Sequence, residues 1–282
     1  MHRIDVNCDM GESFGRWTLG DDLGMMPYLT SVNIATGYHA GDPPTIRRTV
    51  AAAVERGLAI GAHLAFPDLM GFGRRRMIIP PGDLEDYCLY QLGALDAFVR
   101  AAGGRLAHVK PHGALYAMAS EDPALAAAVA RAVAKIDASL PLMLLNLATA
   151  DAVAAEGVRL VPEAFPDLHY DGSGRLIIEP VKLAWDPALV ARRAVRMVLE
   201  QRVAAQDGTE LDIEAVSLCL HGDAPNGVET AAAVHQALTD HGIGTVPLAE
   251  ILAAPDGTPG TARAAAHRPE PEMEPAHDPD HR

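Results

Sequence analysis

From Arg3 to Leu248, short apolar and β-branched runs alternate with alanine-rich stretches of helical period, and this alternation limits what the chain can fold into. Strand-like runs lie at RIDVN (3–7), VNIAT (32–36), LAIGAH (58–63), LAHVKP (106–111), LMLLN (142–146), RLVPEA (159–164), AVSLCL (215–220) and IGTVPL (243–248). Helical patterns fill the intervals at about 43–56, 83–102, 122–136, 147–156, 186–204 and 226–242. Asp42, Asp122 and Asp186 each precede a proline, which marks a helix start: the carboxylate accepts from free first-turn amides, and proline needs none. Asp223 stands shortly before the last long helix. Strand and helix in strict turn predict an α/β fold with a mostly parallel sheet. Seven or eight such units in about 250 residues match a closed β/α barrel, with a doubly wound open sheet as runner-up.

One stretch breaks the pattern. EAFPDLHYDGSGRLIIEP (163–180) reads as a tight turn between short strands, a flap over a site and not a helix. From Pro255 the chain turns rich in proline, charge and histidine, so residues 1–254 are expected to form one barrel domain and 255–282 a disordered tail. The tail histidines His267, His277 and His281 are expected to be solvated.

Composition excludes several function classes. The formal charge of −14 opposes a nucleic-acid partner. Aromatics make up 5% of the residues, so the core must be aliphatic. Cys8, Cys88 and Cys219 are odd in number and form no CxxC pair, which argues against a disulfide framework or a thiolate zinc site and fits a reducing cytoplasm. Cys8 and Cys219 fall on inner strands and read as packing residues. The N-terminus has no apolar signal core, and no run reaches the roughly 18 apolar residues of a membrane span.

Chemistry-bearing residues gather where strands end. Asn7, Asp9 and Glu12 follow the first strand, His39 and Asp42 the second, His63 and Asp68 the third, Lys110 and His112 the fourth, His221 and Asp223 the seventh. In a parallel barrel these junctions share one mouth, where ligands bind. Singly, each has a bland reading: an aspartate after a strand is most often a helix cap, and a histidine beside glycine a turn residue. Jointly, GYHAGD, GAHLAFPD, KPHGALY and LHGDAP repeat a histidine near glycine at four junctions, which turn chemistry does not explain. Imidazoles and a carboxylate on one face could ligate a divalent cation through Asp9, His63 and His112, or act without metal as general acid and base with Lys110 as charge partner. The basic cluster GFGRRRM (71–77), with Arg74 and Arg75, could hold a carboxylate or phosphate, or be a solvated turn.

The blocks DVNCDMGESFG, VNIATGYHAGDP, AIGAHLAFPDLMGFGRRRM, YQLGAL, HVKPHGALY and LCLHGDAPNGV, in this order over about residues 3–252, strongly resemble the lactam-utilization (LamB/YcsF) family. The resemblance implies a distorted seven-stranded β/α barrel, similar to that of polysaccharide deacetylases. It also implies a hydrolase role in ATP-dependent opening of a cyclic amide, 5-oxo-L-proline to L-glutamate, with two partner subunits, B and C. Under it Asp9, His39, His63, Lys110 and His112 become the candidate catalytic set. Asn7, Glu12, Asp42, Asp68, Arg74, Arg75, His221 and Asp223 become candidate substrate contacts. No GxxxxGK[ST] sequence is present, so ATP is expected through the partners.

The chain departs from the family in the flap, where Leu168 and Glu179 stand at positions that relatives usually fill with arginine. If those arginines hold an anionic group, each lost contact is worth about 1.5–3 kcal/mol, and the substrate need not transfer with the fold. Two other readings stand beside the leading one: a metal-dependent amide hydrolase or deacetylase working alone, and a non-catalytic subunit that delivers a small molecule to a complex.

Overall fold

In a closed parallel barrel both faces of every strand are covered, so the alternation along a strand separates an outer face under helices from an inner face on the barrel axis. The computed structural model, which describes residues 2–178 and 182–254, has this form. Its strands are β1 (Arg3–Met10), β2 (Ser31–Ala35), β3 (Ala59–Leu64), β4 (Leu106–Pro111), β5 (Leu142–Leu144), β6 (Leu160–Ala164), β7 (His169–Tyr170), β8 (Leu176–Ile177), β9 (Arg202–Ala204), β10 (Glu210–Asp212), β11 (Ser217–His221) and β12 (Gly244–Thr245). Strands β1 to β6 pair in sequence order, β6 pairs with β11, and β11 returns to β1, closing a seven-stranded parallel barrel. The open-sheet alternative is thereby excluded. The eighth strand-like run contributes only β12, which pairs outside the ring with Arg3 and Ile4.

On β1 the outward Ile4, Val6, Cys8 and Met10 are buried in the aliphatic layer beneath the helices. The inward Asp5, Asn7 and Asp9 bond across the barrel instead. Asp5 accepts from Thr30, Ser31 and Ser217, and Asn7 meets Asn33, Glu163 and Ser217. Polar groups are tolerated on the axis because they satisfy one another. Gly61 is required here: a Cβ at this position would collide with the His108 ring, whose Nε2 lies 2.6 Å from Asn33 Oδ1.

Helices at Pro43–Glu55, Pro81–Ala101, Pro123–Asp137, Ala150–Ala155, Pro187–Leu199 and Gly227–Asp240 occupy the expected intervals. Asp42, Asp122 and Asp186 cap their helices through side-chain oxygens. Asp223 does not cap; the residue at that helix start is Asn226. The helix expected over 186–204 stops at Leu199, because Gln201 takes a left-handed φ of 53° and its side-chain Nε2 donates to the Met197 and Val198 carbonyls. Beyond it β9 and β10 form an antiparallel hairpin. Short helices at Asp22–Met25, Gly113–Ala119 and Leu248–Leu252 carry no periodic signal long enough to read.

The expected flap is present: β7 and β8 pair antiparallel, and Asp171 accepts from the Ser173 and Arg175 amides to close the turn. Glu179 and the tail from 255 to 282 lie outside the described residues. Among the described residues no helix is long and apolar enough to cross a membrane.

Candidate active site

The carboxyl ends of the barrel strands open into a cavity of about 670 Å³, walled on one side by the flap. Asp9, Glu12, His63, Lys110, His112 and His221 form its polar floor. Strand register sets them side by side: Asp9 lies opposite His221 on β11, and His63 on β3 opposite Lys110 on β4.

Lys110 is the buried cation of this floor. Its Nζ lies 2.9 Å from Asp9 Oδ1, 2.9 Å from Cys219 Sγ and 3.5 Å from Glu163 Oε2. Burial alone would drive the ammonium down, but Asp9, Cys219 and Glu163 together outweigh it and hold Lys110 well above its usual value. Burial would likewise raise the Asp9 carboxyl, yet His63 and Lys110 hold it well below the usual carboxylate range. Asp9 is therefore an ionised acceptor at neutral pH. Glu163, fully enclosed, is pushed up by burial, and the Cys219 thiol is pushed well up for the same reason.

The histidines form a second group. His63 Nδ1 lies 2.9 Å from the Lys110 carbonyl and His112 Nε2 2.8 Å from the Phe72 carbonyl, so each of these outer nitrogens donates. The inner nitrogens, His63 Nε2 and His112 Nδ1, face each other at 3.0 Å. Glu12 Oε1 lies 3.1 Å from His39 Nε2 and 3.5 Å from His112 Nδ1. His39 stacks on His112 with ring centroids 3.9 Å apart. Burial depresses both His39 and His112, with Glu12 partly opposing it at His39.

Of the expected substrate contacts, Glu12, Arg74, His221 and Asp223 line the cavity. Asp223 accepts from Lys182 at 2.6 Å and Arg74 at 3.4 Å, so the polar reading prevails over the cap. Asn7 is buried beneath the floor, where its Oδ1 lies 3.4 Å from Lys110 Nζ. His39 sits behind His112 and does not line the cavity. Three expected contacts are not brought to the site. Asp42 caps the helix Pro43–Glu55 and accepts from the Gly15 amide. Asp68 holds the 68–75 loop by accepting from the Gly71 amide and pairing with Arg75. Arg75 itself points to solvent, leaving Arg74 and Arg76 as the cluster's cavity-facing members.

Sequence reasoning missed Asp167, which orients His221, and did not place Glu163 or Cys219 against Lys110. EAFPD, between a strand and the flap, carried the available signal for the two acids. Lys182 is also new, a flap-side cation 2.6 Å from Asp223, and Trp185 stacks near Arg193.

Comparison with known proteins places the fold and the family. The chain is 44% identical over 253 residues to the 5-oxoprolinase A subunit of Thermococcus onnurineus, spanning 89% of this chain and 99% of that one. It is 48% identical over 246 residues to the second 5-oxoprolinase A subunit of Pseudomonas putida, spanning 84% and 95%. A lactam utilization protein from Thermus thermophilus, known from a crystal structure, shares the fold at a TM-score of 0.80 and 44% identity, covering 86% of this chain and 99% of that one. The LamB/YcsF family profile matches residues 4–253, and the chain belongs to the LamB/YcsF family.

Proposed function

We propose that this chain is the A subunit of an ATP-dependent 5-oxoprolinase, opening 5-oxo-L-proline or a closely related small lactam to L-glutamate together with partner subunits B and C. The observation that carries the reading is the near full-length match, at 44% and 48% identity, to proteins named for that activity. The floor of the cavity suits the chemistry. Breaking a lactam requires a water to be deprotonated as it attacks the carbonyl carbon and a proton to reach the leaving nitrogen. Ionised Asp9 and neutral His112 border the same space, and His63 and Lys110 keep Asp9 charged. Arg74, Arg76 and Lys182 give the rim positive charge for a carboxylate. The sequence has no phosphate-binding loop of the GxxxxGK[ST] type, so activation of the carbonyl by ATP falls to the partners.

The test is to assay the protein with and without candidate B and C subunits, with ATP, against 5-oxoproline and other small lactams. Glutamate released only by the full mixture supports the reading. Full turnover of a complex carrying Asp9→Asn would reduce this chain to a binding role. A second reading, a metal-dependent amide hydrolase acting alone, is favoured by the two histidine nitrogens facing each other at 3.0 Å. Chelator-sensitive hydrolysis of N-acyl substrates without partners would select it.

A further inference from the structure

We propose that Glu12, His39, His63 and His112 form a binding site for one first-row divalent cation of the zinc type. A backbone carbonyl only accepts, so His63 Nδ1 and His112 Nε2, each against a carbonyl, must carry their hydrogens. With both rings neutral, His63 Nε2 and His112 Nδ1 would present lone pairs to each other across 3.0 Å, and Asp9 Oδ2 lies 3.2 Å from the same His63 Nε2. Glu12 Oε1, another acceptor, lies 3.5 Å from His112 Nδ1 and 3.9 Å from His63 Nε2. Such a set repels itself unless something positive sits among its members.

The spacing of its ligand atoms fits a metal ion, although the His39 and His112 rings, stacked 3.9 Å apart and 9° from parallel, must turn for both lone pairs to reach it. The four ligand atoms, with His39 Nε2, all lie within 4.8 Å of one another. Bonds of roughly 2.0–2.1 Å to a tetrahedral centre place ligands about 3.3 Å apart. The separations of 3.0, 3.1, 3.5 and 3.9 Å bracket that value. Three imidazoles and one carboxylate select zinc, iron, cobalt or nickel over magnesium or calcium. The outer hydrogen bonds from two of the rings to carbonyls are the support that metal-bound histidines use. Phe72 holds a left-handed φ of 52° while presenting one of those carbonyls, and its ring packs edge-on against His39 and His112.

This set differs from the Asp9, His63, His112 triad that strand-end spacing suggests. Asp9 Oδ1 is already taken by Lys110 and Asn33, and Oδ2, though 3.2 Å from His63 Nε2, lies outside the set of four mutually close ligand atoms. The neighbouring Asp9, Cys219 and His221 group is not a second site, because the Lys110 ammonium already lies 2.9 Å from both Asp9 and Cys219. The four ligands follow or end β1, β2, β3 and β4, so an ion here would tie four successive junctions beneath the cavity.

The experiment uses the full chain with His267, His277 and His281 changed to alanine, so that the tail contributes no ligands. After chelator treatment the protein is titrated with Co²⁺ and with Zn²⁺. The expected result is one equivalent bound per chain, intense visible bands of tetrahedral Co²⁺, and a melting temperature that rises with Zn²⁺ concentration. His112→Ala and Glu12→Gln should lose the bands and weaken Zn²⁺ binding by about 100-fold or more, while Cys219→Ser keeps both. Near-UV circular dichroism identifies variants that remain folded, and Glu12→Gln, which preserves shape, is the decisive one. A folded parent protein with neither cobalt bands nor a melting shift would overturn the proposal, leaving a proton shared between the rings in the ion's place. Bands unchanged in a folded Glu12→Gln together with His112→Ala would overturn it as well. No readout depends on which lactam is turned over, so failure here and failure of the activity assay remain distinguishable.

Discussion

Asp167 grips His221 at two points: its carboxylate oxygens lie 3.0 and 3.1 Å from Nδ1, and one of them also accepts the His221 backbone amide at 2.8 Å. Nδ1 therefore carries the hydrogen, and Nε2 is turned toward Asp9 Oδ2 at 4.0 Å. Burial would raise Asp167, but His221 and Lys182 together outweigh it and keep the acid ionised. The pair is built to hold an imidazole whose inner nitrogen faces the cavity.

Asp167→Asn keeps the size of the side chain but removes the charge that stabilises a protonated His221. If His221 takes up or gives a proton during turnover, kcat of the assembled enzyme should fall by about 100-fold with KM little changed. Steady-state kinetics with the partner subunits reads this directly. Equal loss through KM alone would make His221 a binding residue.

Lys110→Met removes the ammonium and leaves Asp9 and Glu163 buried with no cation between them. Breaking a buried pair in this way costs about 3–5 kcal/mol. Urea unfolding should show that loss, and adding Glu163→Gln to the same chain should recover part of it, because one of the stranded acids is then neutral. A double variant no more stable than Lys110→Met would show that Asp9 alone bears the penalty.

The barrel was legible in the sequence because its strands are short and apolar outside, and three of the helices between them open on a capping aspartate before proline. The recurrence of histidine at strand ends likewise pointed to one mouth. Spacing could not tell which atoms face one another. Asp42 and Asp223 look alike as acids after a strand, yet one caps a helix and the other meets Lys182 across the flap. Glu163 and Lys110 are 53 positions apart, and only closure of the ring brings them to 3.5 Å. The Asp68–Arg75 pair shows the opposite error, a charge cluster next to the site that is spent on its own loop.

Leu168, which stands where the family resemblance predicts an arginine, lines the cavity, and its backbone carbonyl accepts from Arg193 Nη2 at 2.7 Å. Leu168→Arg should extend a guanidinium into a rim that already holds Lys182 and Arg74. For a carboxylated lactam one charged hydrogen bond is worth about 1.5 kcal/mol, or roughly tenfold in KM. A fall in KM for 5-oxoproline with no change for an uncharged lactam would show that this position reads the carboxylate. Equal effects on both substrates would remove it from that role.

His108 ties folding to pH. Its ring lies on the barrel axis in the space left by Gly61, with Nε2 against Asn33 Oδ1, and burial, reinforced by Lys110, lowers it from 6.5 to about 3. The folded chain thus keeps His108 neutral throughout the range in which the unfolded chain protonates it. Between about pH 6.5 and 3 the unfolded state binds one more proton, so this contribution to stability rises with pH. It is complete above about 6.5 and is lost on acidification at about 1.4 kcal/mol per pH unit. His108→Gln retains a donor for Asn33 and cannot titrate. Urea unfolding of both proteins at a series of pH values isolates the term, since the remaining acids are common to the two. The wild-type curve should fall more steeply than the variant's below pH 6.5 and run parallel to it above. Parallel curves over the whole range would mean that His108 is reached by water or protons while the barrel is still folded.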